Sequence, residues 1–286
     1  MKDWKTNMMA YKRSPLSLIL RILVIAAACI TMFILCAIII YILVKGIPNL
    51  NLKMFAWHYT SDNVSMTPAI INTVLMVLLT LVFAAPIGIF SAIYLVEYAK
   101  RGNKIVLLIR MTTETLAGIP SIVYGLFGFL MFAVAFKWGY SFLGGALTLA
   151  MMVLPTIMRT TEEALKAVPD SYREGSFGLG AGRLRTVFQV VLPSAIPGIL
   201  SGVILSIGRI VGETAALIFT AGTIAEIPGG LLQSGRTLAI HMYALLNEGL
   251  HVNEAYATAV VLLALVIVIN AVSERVAHKL SQKTGA

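Results

Sequence analysis

Between Thr186 and Ala221 only two side chains carry charge, Arg209 and Glu213. Four residues apart, they share one face of any helix that carries them both. Arg209 lies about 18 Å along such a helix from Pro197, at 1.5 Å per residue. A charge at that depth in hydrocarbon costs about 2.5–3.5 kcal/mol on insertion scales, so such residues face a cavity or a partner. Two roles are open. The pair can neutralise itself and pin its helix, or it can line a path for an anion. For the second role a guanidinium is apt, because its planar fork matches the oxygens of an oxyanion.

Weaker path candidates surround this pair. Asn72, Thr73 and Thr80 lie in one apolar run, where bonding between helices is at least as good an account of them. Ser121 and Tyr124 follow Pro120, a residue able to kink a helix and free its carbonyls. Thr214 stands beside Glu213, and Asn270 reads as packing. Glu97 and Glu114 neighbour Lys100, Lys104 and Arg110, which points to solvated pairing. His241 and His251 have no ligand-like spacing, so no metal is expected. No nucleophile and base are spaced for catalysis, so no enzyme is expected within the chain.

The second chemistry-bearing stretch runs from Val168 to Pro193. Pro169 suits a first helical position, and Asp170 and Glu174 suit the first turns, where the helix dipole favours acids. A short helix is predicted from about Pro169 to Phe177. Gly178, Gly180 and Gly182 then stop it and permit a sharp turn. These glycines follow no strand and match neither the GxxxxGK[ST] nor the Rossmann spacing, so no nucleotide cradle is present.

The elements that must position these residues follow from composition. The 286 residues are 58% hydrophobic and only 12% charged, half the charge of a typical soluble domain. Six uncharged runs of 19 to 34 residues stand out: 22–44, 63–96, 115–136, 138–158, 186–208 and 255–273. A helix needs roughly 20 apolar residues to cross a bilayer, and its backbone must bond within itself. An all-α polytopic membrane protein with six transmembrane helices is expected. A soluble enzyme, a nucleic-acid binder and a disulfide scaffold are excluded.

The net charge of +9 fits that topology. With alternating runs and an inner N-terminus, 17 Lys and Arg residues fall on the inner side and 4 on the outer, the positive-inside pattern. Both termini are therefore expected in the cytoplasm. The first run exceeds a signal-peptide core and no cleavage site follows, so it is expected to remain as a helix. Cys29 and Cys36, seven residues apart on it, are too far apart for a disulfide. The expected division is a cytoplasmic tail 1–15, a first helix 16–44 and an external loop 45–67. A core 68–275 with an inner loop at about 159–193 and a tail 276–286 complete it. In the outer segment 221–254, an amphipathic piece from Thr237 to Asn247 is expected at the surface.

The inner loop also carries a resemblance. Glu174, Gly175, Ser176, Gly180, Val190, Leu192 and Pro193 resemble the E-A-A-x3-G-x9-I-x-L-P loop of ATP-binding-cassette importer permeases. Gly175 and Ser176 replace two alanines, and Val190 replaces an isoleucine. Three further stretches look like phosphate-transport permeases: 85–99, Gly118 to Gly128, and Arg209 to Ala215; Gly212 to Ala215 followed by Leu217 to Ala221 looks more like the PstA type than its PstC partner. The resemblance covers roughly residues 64–275 and implies a type I importer permease in a bacterial-type inner membrane. It implies that the loop docks on a separate ATPase, which binds ATP and Mg, with no cofactor in this chain. It further implies a PstC-like paralogue as the second permease, two ATPase copies and an external phosphate-binding protein. It adds a role for Glu213: near neutral pH phosphate still has a proton to donate, whereas sulfate has none, so a carboxylate acceptor favours phosphate. The alternatives are a permease for molybdate, sulfate or phosphonate, or a non-cassette secondary transporter or intramembrane enzyme. The lack of an internal repeat disfavours a secondary transporter.

Overall fold

The computed structural model describes residues 15–100 and 102–284. Residues 1–14 of the expected N-terminal tail, Arg101 and the last two residues lie outside the described residues. Every described element is helical. The first, α1 (Pro15–Gly46), is apolar all round, and its most apolar stretch is wholly unburied. A helix of that kind faces lipid. It docks near its end, where the rings of Tyr41 and Tyr256 meet edge-on at 5.9 Å. Gly46 is required there, because a Cβ would collide with the Tyr256 carbonyl. Cys29 and Cys36 are exposed on this helix.

The next span, α2 (Thr67–Ile93), runs into a π-turn at Tyr94–Tyr98. The third is not the single helix expected over 115–136. It consists of α3 (Lys104–Ala117) and α4 (Ser121–Gly128), extended by a π-turn at Phe129–Ala135, with a 104° bend between them. Pro120 lacks an N–H and restricts the residue before it, so the helix cannot continue through Gly118–Pro120. The Tyr124 hydroxyl donates to the Leu116 carbonyl at 2.8 Å across the break.

The centre of the bundle is α5 (Phe142–Ala167), two thirds of whose apolar window is buried. Ser141 caps it by accepting from the Gly144 N–H at 3.2 Å. Then come the short α6 (Asp170–Gly178) and α7 (Arg183–Thr186), a π-turn at Val187–Val191, and α8 (Leu192–Val211). α9 (Ala215–Thr220), α10 (Leu238–Glu248) and α11 (Val252–Thr284) complete the order. Residues 276–284 thus extend the last helix rather than forming a separate tail.

Five helices are long and apolar enough to cross a bilayer, or six with the bent pair counted as one span. α2 and α8 pack on α5 around Leu149, Met152, Val153, Ile157 and Ile210. Small residues let them approach: a Cβ at Gly202 would drive into the Thr160 side chain, the close packing typical of helices in lipid. One end of this bundle gathers Lys100, Arg110, Lys166, Arg173 and Arg183 around one cleft, with Lys104 opening α3 and Arg185 on α7. It is called the basic end below.

α10 is amphipathic: Leu238, Ala239, Ile240, His241 and Leu245 are buried, whereas Tyr243, Leu246 and Asn247 are exposed. The segment before α2 folds over the buried residues, with Tyr59 edge-on to His241 at 6.1 Å and stacked under the Arg236 guanidinium at 4.5 Å.

Candidate functional site

The deep charge stands alone on its helix. α8 ends at Val211, with Gly212 as its cap, so Arg209 and Glu213 do not share a continuous helical face. Among the described ion pairs none joins them. Glu213 instead turns to the next element, its Oε1 accepting from the Ala216 N–H at 3.1 Å in the first turn of α9. Thr214 precedes that turn without a side-chain capping bond, and its carbonyl accepts from Ile218 at 3.0 Å.

Arg209 is exposed on the single chain. It lines a cleft of about 670 Å³ with Thr156, Ser201, Asn270 and Glu274. Ser201, Leu205, Gly208 and Arg209 mark one stripe of α8, facing Asn270 and Glu274 on α11. A guanidinium exposed on a membrane span needs a polar cavity or a partner chain over it. The cleft supplies hydroxyl, amide and carboxylate groups along its wall, a lining able to hold an oxyanion and its proton.

The weaker candidates fall elsewhere. Asn72 and Thr73 are fully buried within this chain. Asn72 Nδ2 donates to the carbonyls of Glu226 and Arg236 at 2.9 and 3.1 Å. Thr73 Oγ1 donates to Ala69 at 2.7 Å and accepts from the Leu238 N–H at 2.8 Å. Both side chains therefore fasten the segment that enters α10. Ser121 is half-buried at the start of α4, and Tyr124 bonds across the break.

At the basic end the expected short helix is present as α6, one residue later than predicted, with Pro169 at its cap. Glu174 and Gly175 are exposed on it. Ser176 bonds the Thr186 hydroxyl at 2.8 Å, closing the loop on α7. Gly180 has φ +80°, a conformation that a side chain disfavours. A Cβ there would touch nothing within 4 Å, so the demand is conformational. Leu192 and Pro193 open α8 behind the Val187–Val191 π-turn.

Glu97 is not a solvated acid. It is 6% exposed and receives Arg173 from α6, Nη2 at 2.7 Å and Nε at 3.2 Å from Oε1. Arg110, expected near Glu97 and Glu114, instead shares Glu162 with Lys166, at 3.2 and 2.9 Å. Sequence spacing could not reveal either link, because the partners lie 76 and 52 residues apart in the chain.

Residues 84–285 match the family described as binding-protein-dependent transport system inner membrane component. The chain belongs to that family. It is thus an all-helical, multi-pass inner-membrane permease of the ATP-binding-cassette class, a transport subunit distinct from the ATPase. The permease is 35% identical over 243 residues to "Probable ABC transporter permease protein YqgI" of Bacillus subtilis (strain 168), covering 77% of this chain and 82% of that one. It is 38% identical over 192 residues to the phosphate transport system permease protein PstA of Pasteurella multocida, covering 66% and 68%. Among solved structures, an inward-facing MetNI methionine transporter matches with TM-score 0.58 at 19% identity, over 85% of this chain and 97% of that one. A bacterial alginate importer matches with TM-score 0.55 at 18% identity, over 88% and 97%. At such identities these two matches establish the type I importer permease fold alone.

Proposed function

We propose that this permease is the PstA-type subunit of an ATP-driven phosphate importer. Arg209 carries the reading: a guanidinium in the last turn of the α8 span, left exposed by its own chain, beside a cleft of hydroxyl, amide and carboxylate groups. The similarity to PstA permeases supports phosphate over other oxyanions. The basic end faces the cytoplasm, in line with the positive-inside pattern, and the exposed α6 docks on an ATPase that binds ATP and Mg. A single coupling loop calls for a second permease, a PstC-like paralogue, and two ATPase copies. An external phosphate-binding protein delivers substrate to the outer face around residues 221–254.

In this mechanism the anion exchanges hydration for the Arg209 fork, and a carboxylate accepts a hydrogen bond from the hydroxyl that phosphate retains. Glu213 offers its second oxygen for this, and Glu274 shares the Arg209 cleft. The test uses the reconstituted transporter. Arg209→Gln should reduce phosphate uptake at least tenfold while membrane abundance and basal ATP hydrolysis persist. Glu213→Gln should be milder and should relax discrimination against sulfate. Normal phosphate uptake by the Arg209→Gln transporter would remove Arg209 from the path.

A further inference from the structure

Arg173 is held by more partners than any other described side chain at the basic end. Its Nη2 donates to Glu97 at 2.7 Å and to the Leu165 carbonyl at 2.9 Å. Its Nη1 donates to the Val168 carbonyl at 2.8 Å and to Asp170 Oδ1 at 3.1 Å. Its Nε completes a forked contact with Glu97, at 3.2 and 3.5 Å. Leu165 and Val168 lie at the end of α5, where the last carbonyls have no partner within the helix. Glu97 lies in the π-turn that ends α2, where the Ala99 N–H reaches back five residues to Tyr94 at 2.9 Å. One guanidinium on α6 therefore ties together the ends of two core spans.

A second cation reaches the same turn from the other side of the loop. The Arg183 guanidinium lies over the Tyr98 ring at 5.4 Å. Both ends of the α6–α7 loop are thus referenced to Tyr94–Tyr98, a π-turn of the sort often found at functional positions. The outer surface of α6 stays exposed. The inward side is fixed by a bonded ion pair whose side chains are only 15% and 8% exposed, and removing one partner of such a pair strands the other charge.

We infer that Arg173 and Glu97 form a positioning clamp that passes displacement of α6 to α2 and α5. This rests on the docking of α6 on the ATPase proposed above. Without the clamp, α6 still has its helix and its exposed face, but its movement no longer has a stiff connection to the spans. The expected defect is loss of coupling rather than loss of assembly.

The experiment uses the complete transporter in proteoliposomes, with the binding protein and phosphate present, and reads phosphate imported and ATP hydrolysed on one preparation. Glu97→Gln and Arg173→Gln should each raise the ATP hydrolysed per phosphate imported at least fivefold, while co-purified ATPase stays within twofold of the unaltered complex. The double variant should be no worse than the worse single, because both remove one contact. Arg173→Lys, which keeps the charge but cannot span carboxylate and carbonyls together, should show an intermediate ratio. It also serves as the test variant if either glutamine variant fails to reach the membrane. An unchanged ratio, or uptake that falls only in proportion to co-purified ATPase, would overturn the clamp. A Gly175→Cys chain, otherwise unaltered, separates the two ideas by crosslinking. Capture of the ATPase with an unchanged ratio in the clamp variants sinks the clamp alone, whereas no capture sinks the docking beneath it.

Discussion

His241 is fully buried between Tyr59 and the α10 backbone, and its pKa is pushed down from 6.5 to about 3. Burial is the largest cause and the Arg236 guanidinium the next, with the Val64 backbone pulling weakly the other way. Above pH 6.5 the imidazole is neutral in both folded and unfolded chains and costs nothing. Below it, the unfolded chain binds a proton that the folded chain refuses, so stability falls as pH drops toward 3. The slope approaches about 1.4 kcal/mol per pH unit, or about 2 kcal/mol between pH 6.5 and 5. Thermal melts of the solubilised complex at pH 7.5 and 5 should show a smaller acid loss for His241→Asn than for the unaltered chain. An equal loss in both would clear His241 of the effect. Residue chemistry of this kind was only partly legible beforehand. Arg209 stood out because charge is rare in apolar runs, and it does line a polar cleft. Its supposed partnership with Glu213 assumed an unbroken helix, which Gly212 ends. The burial of Glu97 and of His241 depends on segments distant in sequence, and no local pattern records it.

Among the elements, α6 and its turn make the sharpest prediction. Gly180 adopts φ +80° with open space around it. A left-handed conformation costs most residues about 1–2 kcal/mol, whereas asparagine adopts it more readily. Gly180→Ala should therefore lower phosphate uptake severalfold at unchanged membrane abundance, and Gly180→Asn should recover most of it. Equal loss in both would indicate that bulk at a docking surface matters more than conformation. Gly202 presents the opposite case, because a side chain there meets Thr160 between α8 and α5. Gly202→Val should cost about 1–3 kcal/mol through overpacking, read as reduced membrane abundance with transport per molecule retained. Spans were the most legible elements, since an uncharged run of 20 residues has few alternatives in lipid. The break at Gly118–Pro120 was visible only as a possible kink, and α3 was missed as part of the third span because Arg110 and Glu114 interrupt its run. The three π-turns leave no compositional mark, since each adds one residue to a helix without altering its apolarity.

At the scale of the whole molecule, charge distribution and fold make one joint prediction about sidedness. Every span reverses direction, so fixing the side of one loop fixes all the others. Lys53 and Gln233 are exposed at one end of the bundle, whereas Lys104 and Arg183 are exposed at the basic end. All four sites are open to water on the chain itself, so labelling differences among them report the membrane barrier rather than burial. The background must lack Cys29 and Cys36, both exposed on α1, and serine is a small replacement for each. Single cysteines placed at the four positions in sealed, right-side-out vesicles should then divide cleanly. Those at Lys53 and Gln233 should react with an impermeant thiol reagent, and those at Lys104 and Arg183 should react only after the vesicles are opened. The positive-inside bias is a statistical property of the loops, while the reversal of direction is fixed by the helices. A mixed result, such as Arg183 and Lys53 both reacting from outside, would overturn the fold itself, in which Arg173 of α6 bonds Glu97 at the end of α2 and so keeps the Lys104 and Arg183 loops on one side.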